Sequence, residues 1–161
     1  MIRKLNIKRG ILFIIIGLWM ILIFSLSAQT ATQSSELSGG LIDKILNIFN
    51  RELSEFEVVV IDFMQFIIRK SAHMFLYIIL AILIFSELSL YSIKKHEIFT
   101  AVISISYAIT DEIHQYFVPG RSCEIRDVLI DSIGVIIGIV IVRIARKLTN
   151  KTNQITIDKT I

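Results

Sequence analysis

The stretch "SYAITDEIHQYFVPGRSCEIRDVLID", residues 106–131, decides how the chain is folded. It places five carboxylates, two arginines and a histidine between two long apolar runs. The only proline of the chain, Pro119, lies near its middle. Two membrane-spanning helices joined by a turn at Pro119 explain this pattern, because the charged groups then gather towards one membrane surface.

The composition supports a membrane protein. Hydrophobic residues make up 54% of the 161 residues, and the mean hydropathy is +0.71, which is too apolar for an ordinary soluble domain of this length. Runs without charged residues predict helices of about 20 residues, enough to cross roughly 30 Å of hydrocarbon. The predicted fold is an all-α integral membrane bundle with four spans, at 9–28, 71–90, 98–117 and 127–146.

The basic residues predict the orientation of the bundle. Eleven of the 17 lysines and arginines precede span one, lie between spans two and three, or follow span four. Basic residues favour cytoplasmic loops, so both termini are predicted to be cytoplasmic and the protein to be a multi-pass protein of the cell membrane. The predicted organisation is a cytoplasmic segment 1–8, a transmembrane domain 9–146 and a polar cytoplasmic tail 147–161. No nucleic-acid motif accompanies the basic excess, and no nucleic-acid partner is expected.

The N-terminal apolar segment has a second interpretation. A basic start, the apolar run 11–24 and the small residues Ser25 and Ser27 also fit a cleaved signal peptide. The apolar run is at the long end for such a peptide. Either interpretation gives the same orientation to everything downstream.

The segment between spans one and two, 29–70, is predicted to be external. Its first part is rich in Ser, Thr, Gln and Gly, which is typical of a loop. In 41–51, apolar residues recur at helical spacing, which predicts a helix lying along the membrane surface. The run 58–68 is interrupted by Asp62 and Gln65, and joined to span two it would make a helix of about 46 Å. It is therefore a second interfacial helix, or an extension of span two that leans out of the hydrocarbon.

Polar residues within the spans share one depth. His73, Asp111 and Asp131 each lie 12 to 14 residues from the cytoplasmic end of their span, which places them about 18–21 Å from the inner side. Spacings of three and four residues put further polar groups on the same helix faces. The predicted polar network and ligand-binding pocket comprises Arg69, Lys70, His73, Tyr77, Asp111, Glu112, Gln115, Arg121, Asp127 and Asp131.

Charged groups in lipid normally face the protein interior and pair. Arg121, in the predicted turn, is expected to reach one carboxylate with its planar fork. His73 is expected to act as a hydrogen-bonding member of the network. A divalent cation could bind Asp111, Glu112, His73 and His114, but the neighbouring arginines and lysine already offer neutralisation, so neither a metal nor another cofactor is predicted.

At these residues the chain resembles the VanZ-like membrane proteins. The resemblance rests on "FSLSAQTATQSSELSG" (24–39), "RKSAHMFLYIILAIL" (69–83) and "AITDEIHQYFVPGRSCEIRDVLIDSIGVIIG" (108–138). The family pattern is matched by every predicted network residue and by Gly134 and Gly138, whose spacing is typical of closely packed membrane helices. Cys123 departs from the pattern.

The resemblance implies a function at the cell envelope. The name-giving member of the family is associated with low-level resistance to teicoplanin and related lipoglycopeptides, and its molecular activity is not established. The expected partners are membrane lipids and, in the outer pocket, a lipid-linked cell-wall precursor or a lipoglycopeptide.

The alternative is a membrane-embedded hydrolase or transferase acting on a lipid or lipid-linked wall precursor. In it, Asp111 or Glu112 would be the general base, His73 an acid or ligand, and Arg69 and Arg121 would hold a phosphate or carboxylate. A small transporter is disfavoured, because the cytoplasmic halves of the spans carry almost no ionisable residues.

Overall fold

The structure, a computed structural model, describes residues 2–30, 32–34, 36–37, 39–40, 44, 55–91 and 93–158. Four long helices account for most of them: α1 is Ile2–Ser27, α2 is Glu55–Leu90, α3 is His96–Tyr116 and α4 is Ile125–Asp158. No strand occurs within these ranges. The predicted all-α bundle is confirmed.

Three of the helices are long and apolar enough to cross a membrane. The apolar segments are Asn6–Ser27 in α1, Phe63–Leu90 in α2 and Ile125–Asn150 in α4. They contain 22, 28 and 26 residues, and about 20 helical residues cover the hydrocarbon core of a bilayer. The chain is therefore a membrane protein.

Helix α3 occupies the position of the fourth predicted span but is more polar than the other three. Its 21 residues would be long enough, and its polar content keeps it out of the apolar group. The polar residues are turned inward, however, since Thr100, Ser104, Asp111, Glu112 and Gln115 are all buried. The outward face carries Ile98, Val102, Ile109 and Ile113. A surface helix of a water-soluble protein has the opposite pattern, with its apolar face inward and its polar face outward. That α3 crosses the membrane stays a prediction.

Two helices differ in length from the predicted spans. The run 58–68 does not form a separate interfacial helix, because α2 is continuous from Glu55 to Leu90, about 54 Å at 1.5 Å per residue. Its predicted alternative, an extension of span two, is the arrangement found. Helix α4 likewise continues to Asp158, through most of the predicted polar tail. The predicted surface helix at 41–51 lies outside the described residues, apart from Lys44.

The core lies where α1, α2, α3 and α4 meet. Its buried apolar residues are Ile23, Tyr77, Leu80, Ala81, Ile84, Ala108 and Val135. The largest interface is between α2 and α4. There, a Cβ at Gly134 would lie 2.5 Å from the Met74 carbonyl oxygen, and one at Gly138 would lie 2.6 Å from that of Ile78. The two glycines therefore allow the backbones to approach closely, as expected for this spacing.

Three hydrogen bonds from side chains to backbone carbonyls attach α1 to its neighbours. The Trp19 indole Nε1 donates to the Leu76 carbonyl at 3.0 Å, and the Tyr107 hydroxyl donates to the Met20 carbonyl at 2.6 Å. At the opposite end of α1, the Arg9 guanidinium donates to the Leu90 carbonyl and covers the Tyr91 ring. These bonds hold α1 along most of its length.

Cysteine labelling tests the predicted orientation. In a Cys123→Ser background, cysteines placed at Ser34 and Gly120 are expected to react with a membrane-impermeant maleimide in intact cells, because both lie at the end of the bundle predicted to face outward. A cysteine at Lys95, at the other end, is expected to react only after permeabilisation. Labelling of position 95 in intact cells would contradict the orientation.

Candidate functional site: a charged cavity at one end of the bundle

A cavity of about 520 Å³ opens at the end of the bundle where α1 and α3 finish and α4 begins. Sites for small ligands are typically clefts of roughly 300–1,000 Å³. The cavity brings together eight of the ten predicted network residues: Arg69, Lys70, His73, Glu112, Gln115, Arg121, Asp127 and Asp131. The remaining two, Tyr77 and Asp111, are buried and do not line the cavity.

The turn between α3 and α4 determines where Arg121 lies. The Arg121 amide donates to the Val118 carbonyl at 3.1 Å and closes a β-turn around Pro119 and Gly120. Gly120 has φ of 76°, a left-handed conformation that glycine adopts without strain and that follows proline in type II turns. The Pro-Gly pair thus places Arg121 at the cavity wall.

Glu112 fastens this turn to α3. Its Oε1 accepts a hydrogen bond of 2.7 Å from the backbone amide of Glu124, the residue immediately before α4. The Glu124 carboxylate accepts hydrogen bonds from Ser122 Oγ at 3.0 Å and from Arg126. The Ser122 bond, followed by Arg126, lowers the pKa of Glu124. Glu112 therefore has a structural partner that fixes the start of α4.

Asp111 lies among polar groups, away from the cavity surface. Its Oδ2 accepts a hydrogen bond of 2.7 Å from Ser27 Oγ, at the end of α1, and a longer one of 3.4 Å from Gln115 Nε2. Tyr77, fully buried on α2, lies close enough to interact with the same carboxylate. Asp111 thus joins three helices below the cavity.

Lys70 and Asp127 form an ion pair across the α2–α4 interface, and it is also a hydrogen bond. Their side chains are 25% and 12% exposed, so the pair is largely shielded from water. A shielded pair interacts more strongly than a surface pair, and each partner is costly to leave alone. This pair forms one wall of the cavity.

The expected fork from Arg121 to a carboxylate is not found. Among the described residues, no carboxylate lies within ion-pair distance of its guanidinium, and its buried Nε donates to no acceptor. Burial lowers the pKa of Arg121, and the neighbouring Arg69 lowers it further. Arginine nevertheless stays protonated, so the cavity contains a cation whose hydrogen-bonding capacity is left for a ligand.

Asp131 is a second ionisable group of the cavity without a partner among the described residues. It lines the cavity and is only 4% exposed, yet no described group donates a hydrogen bond to its carboxylate. His73 also lines the cavity. It was expected to form a hydrogen bond within the network, and among the described residues it forms none. His114 stacks on the Phe24 ring at 3.9 Å, does not line the cavity, and so lies apart from His73.

Sequence reasoning missed several residues of the site. Ser27 and Glu124 contact predicted network residues, and Gln29 and Ser34 line the cavity. Ser27 is 84 positions from Asp111 in the chain, and only its place at the predicted outer end of span one suggested the right depth. Glu124 acts through its backbone amide, which has no sequence signal.

Comparison with known proteins gives one match. No curated protein and no solved structure matches the chain. The profile of one membrane-protein family, VanZ/LLP1, matches residues 12–146. This range covers most of the 161 residues and includes the cavity-lining part of all four helices. The chain therefore belongs to the VanZ/LLP1 family.

Proposed function

We propose that the protein is a multi-pass protein of the bacterial cell membrane whose cavity binds the head group of an amphiphile from the outer leaflet, and that this binding lowers susceptibility to teicoplanin and related lipoglycopeptides. The observation that carries the proposal is the unpaired Arg121 guanidinium in a cavity of about 520 Å³. Guanidinium groups bind phosphates and carboxylates through paired hydrogen bonds.

The remaining lining favours an amphiphile over a fully polar ligand. Leu26, Phe66, Leu76 and Ile130 contribute apolar surface beside the charged groups. An acyl chain can contact such surface while its head group reaches the arginine. A lipid head group, a lipid-linked wall precursor and a lipoglycopeptide each combine an anionic or polar group with an acyl chain.

The geometry gives less support to the hydrolase or transferase. Asp111, one candidate base, does not line the cavity, and Glu112, the other, accepts the Glu124 amide. His73 forms no hydrogen bond to either acid in the described residues. A general base needs to lie within hydrogen-bond reach of the proton it removes, and here Asp111 lies away from the cavity while one oxygen of Glu112 is already bonded to the Glu124 amide.

Drug susceptibility tests the proposed function. Expression in a susceptible Gram-positive host is expected to raise the minimal inhibitory concentration of teicoplanin more than that of vancomycin, because only teicoplanin carries an acyl chain that inserts in the outer leaflet. Arg121→Gln is expected to remove the effect, since it removes the free cation. Arg143→Gln is the matched control, because Arg143 is exposed and pairs with Glu97 at the other end of the bundle.

Two results would contradict this proposal. Equal protection against both drugs would indicate a change in the wall target and not capture of an amphiphile. Full protection by Arg121→Gln, at a membrane level equal to that of the unmodified protein, would exclude the cavity from the mechanism.

A further inference from the structure

The cavity contains an unpaired carboxyl group as well as an unpaired cation among the described residues. Its charged lining comprises four acids and three bases: Glu112, Glu124, Asp127 and Asp131 with Arg69, Lys70 and Arg121. Glu124 accepts hydrogen bonds from Ser122 and Arg126. Asp127 is neutralised by Lys70, and Glu112 accepts a backbone amide. Asp131 has neither an ion-pair partner nor a hydrogen-bond donor among the described residues, although it is only 4% exposed. A buried carboxyl group without a hydrogen bond is costly, so a ligand that donates a hydrogen bond to Asp131 would be favoured.

The two unpaired groups lie at different depths. Asp131 is one helical turn below Asp127 on α4, about 6 Å at 1.5 Å per residue. Arg121 is in the turn that precedes α4, and Asp127 and Glu112 are among the charges that act on it. The guanidinium therefore lies towards the mouth of the cavity and the Asp131 carboxylate lies deeper.

A ligand that satisfies both groups has an anion near the mouth and a hydrogen-bonding cation below it. A zinc or calcium ion is a poor match for the deep position, because no three Asp, Glu, His or Cys side chains converge on one point in the described residues, and these ions take about four to eight ligands. A primary ammonium needs only one or two acceptors and has three N–H donors.

We infer that the cavity selects a zwitterionic ligand of the phosphoethanolamine type, with its phosphate at Arg121 and its primary ammonium at Asp131. This inference rests on the proposed function and specifies the chemistry of the head group that the cavity binds. Because Arg121 and Asp131 line the same cavity of about 520 Å³, the two charges of the ligand must be joined by a short spacer. The ligand could be a diacyl phospholipid or a soluble phosphoethanolamine compound, since both present the same two charges.

Native mass spectrometry of the purified protein in detergent tests this inference. The probes are phosphatidylethanolamine, phosphatidylglycerol and phosphatidylcholine with the same acyl chains. Phosphatidylethanolamine is expected to bind about tenfold more tightly than the other two, which corresponds to about 1.4 kcal/mol. Phosphatidylglycerol lacks the ammonium, and the quaternary ammonium of phosphatidylcholine has no N–H to donate to Asp131.

Variants assign the preference to its residues. Asp131→Asn is expected to abolish the preference for phosphatidylethanolamine while leaving the binding of phosphatidylglycerol unchanged. Arg121→Gln is expected to weaken all three lipids. Glu97→Gln, which removes a carboxylate near Arg143 at the other end of the bundle, is the control and is expected to change nothing. The melting temperature of each variant shows whether it is still folded. Asp131→Glu keeps the carboxylate and is expected to retain the preference for phosphatidylethanolamine.

The outcomes separate this inference from the proposed function. Equal binding of the three lipids, weakened by Arg121→Gln, would overturn the primary-ammonium inference and support head-group binding. Binding of none would overturn the primary-ammonium inference, whereas the proposed function is decided separately by the teicoplanin and vancomycin test. Displacement of the lipid by glycerophosphoethanolamine at similar concentration would identify a soluble ligand, and failure to displace would identify the lipid. A preference for phosphatidylethanolamine that persists in Asp131→Asn would overturn the assignment to Asp131.

Discussion

Gly138→Ala is expected to destabilise the bundle strongly, and Gly134→Ala similarly. The added Cβ at position 138 would lie 2.6 Å from the Ile78 carbonyl oxygen and 2.9 Å from the Ala81 Cβ, and that at position 134 would lie 2.5 Å from the Met74 carbonyl oxygen. Overpacking of a core typically costs about 1–3 kcal/mol. We expect the upper end of that range, because helix backbone cannot move aside as a side chain can. Thermal unfolding in detergent measures the loss.

The chain supplies its own controls for this experiment. Gly10 and Gly17 lie in α1, and a Cβ at either position would have no neighbour within 4 Å. Alanine there is expected to leave stability unchanged or to raise it by about 0.5–1 kcal/mol, since glycine within a helix is unfavourable. If Gly138→Ala unfolded at the same temperature as Gly17→Ala, the close approach of α2 and α4 would be wrong.

Lys70→Met is expected to be the most damaging change to a charged residue of the cavity. It leaves Asp127 unpaired at 12% exposure, near two further carboxyl groups, those of Glu112 and Asp131. Breaking a fully buried pair costs about 3–5 kcal/mol. Because the Lys70 side chain is 25% exposed, water screens part of the loss, and we expect about 2–3 kcal/mol. Denaturant or thermal unfolding in detergent is the measurement.

A second change identifies the cause. Lys70→Met with Asp127→Asn removes both charges and is expected to recover most of the stability, since replacing both partners of a buried pair is often nearly neutral. Arg126→Ala breaks the exposed pair with Glu124 and is expected to cost no more than about 1 kcal/mol. Additive effects of the two substitutions at Lys70 and Asp127 would mean that these side chains do not interact.

Helix periodicity accounts for the part of the site that could be predicted from sequence. Asp111 and Gln115, or Asp127 and Asp131, are four residues apart, and a helix necessarily places such pairs on one face. In a membrane these faces turn towards the protein interior, because exposing a charged side chain to lipid costs more than burying it among other polar groups. The cavity therefore contains or adjoins every predicted network residue.

The partners of these residues could not be predicted in the same way. Arg121 was expected to bind a carboxylate, and no such pair is found among the described residues. Its position depends on the β-turn at Pro119 and Gly120, and the sequence does not define the path of that turn closely enough to predict its partner. The continuity of α2 was also undecided, since Asp62 and Gln65 interrupt the apolar pattern without interrupting the helix. Ser27 binds Asp111 through packing of α1 against α3, a relation between distant segments that no local spacing encodes.

The attachment of α1 has a consequence for how this sequence can evolve. Trp19, Tyr107 and Arg9 all donate to main-chain oxygens, and a main-chain oxygen is present whichever amino acid occupies the accepting position. Substitutions at Met20, Leu76 or Leu90 therefore leave each acceptor in place, and only the three donor positions must keep a particular chemistry. These three contacts of α1 can thus persist while the surfaces they bind diverge, whereas the Ser27–Asp111 hydrogen bond requires a particular side chain on both helices.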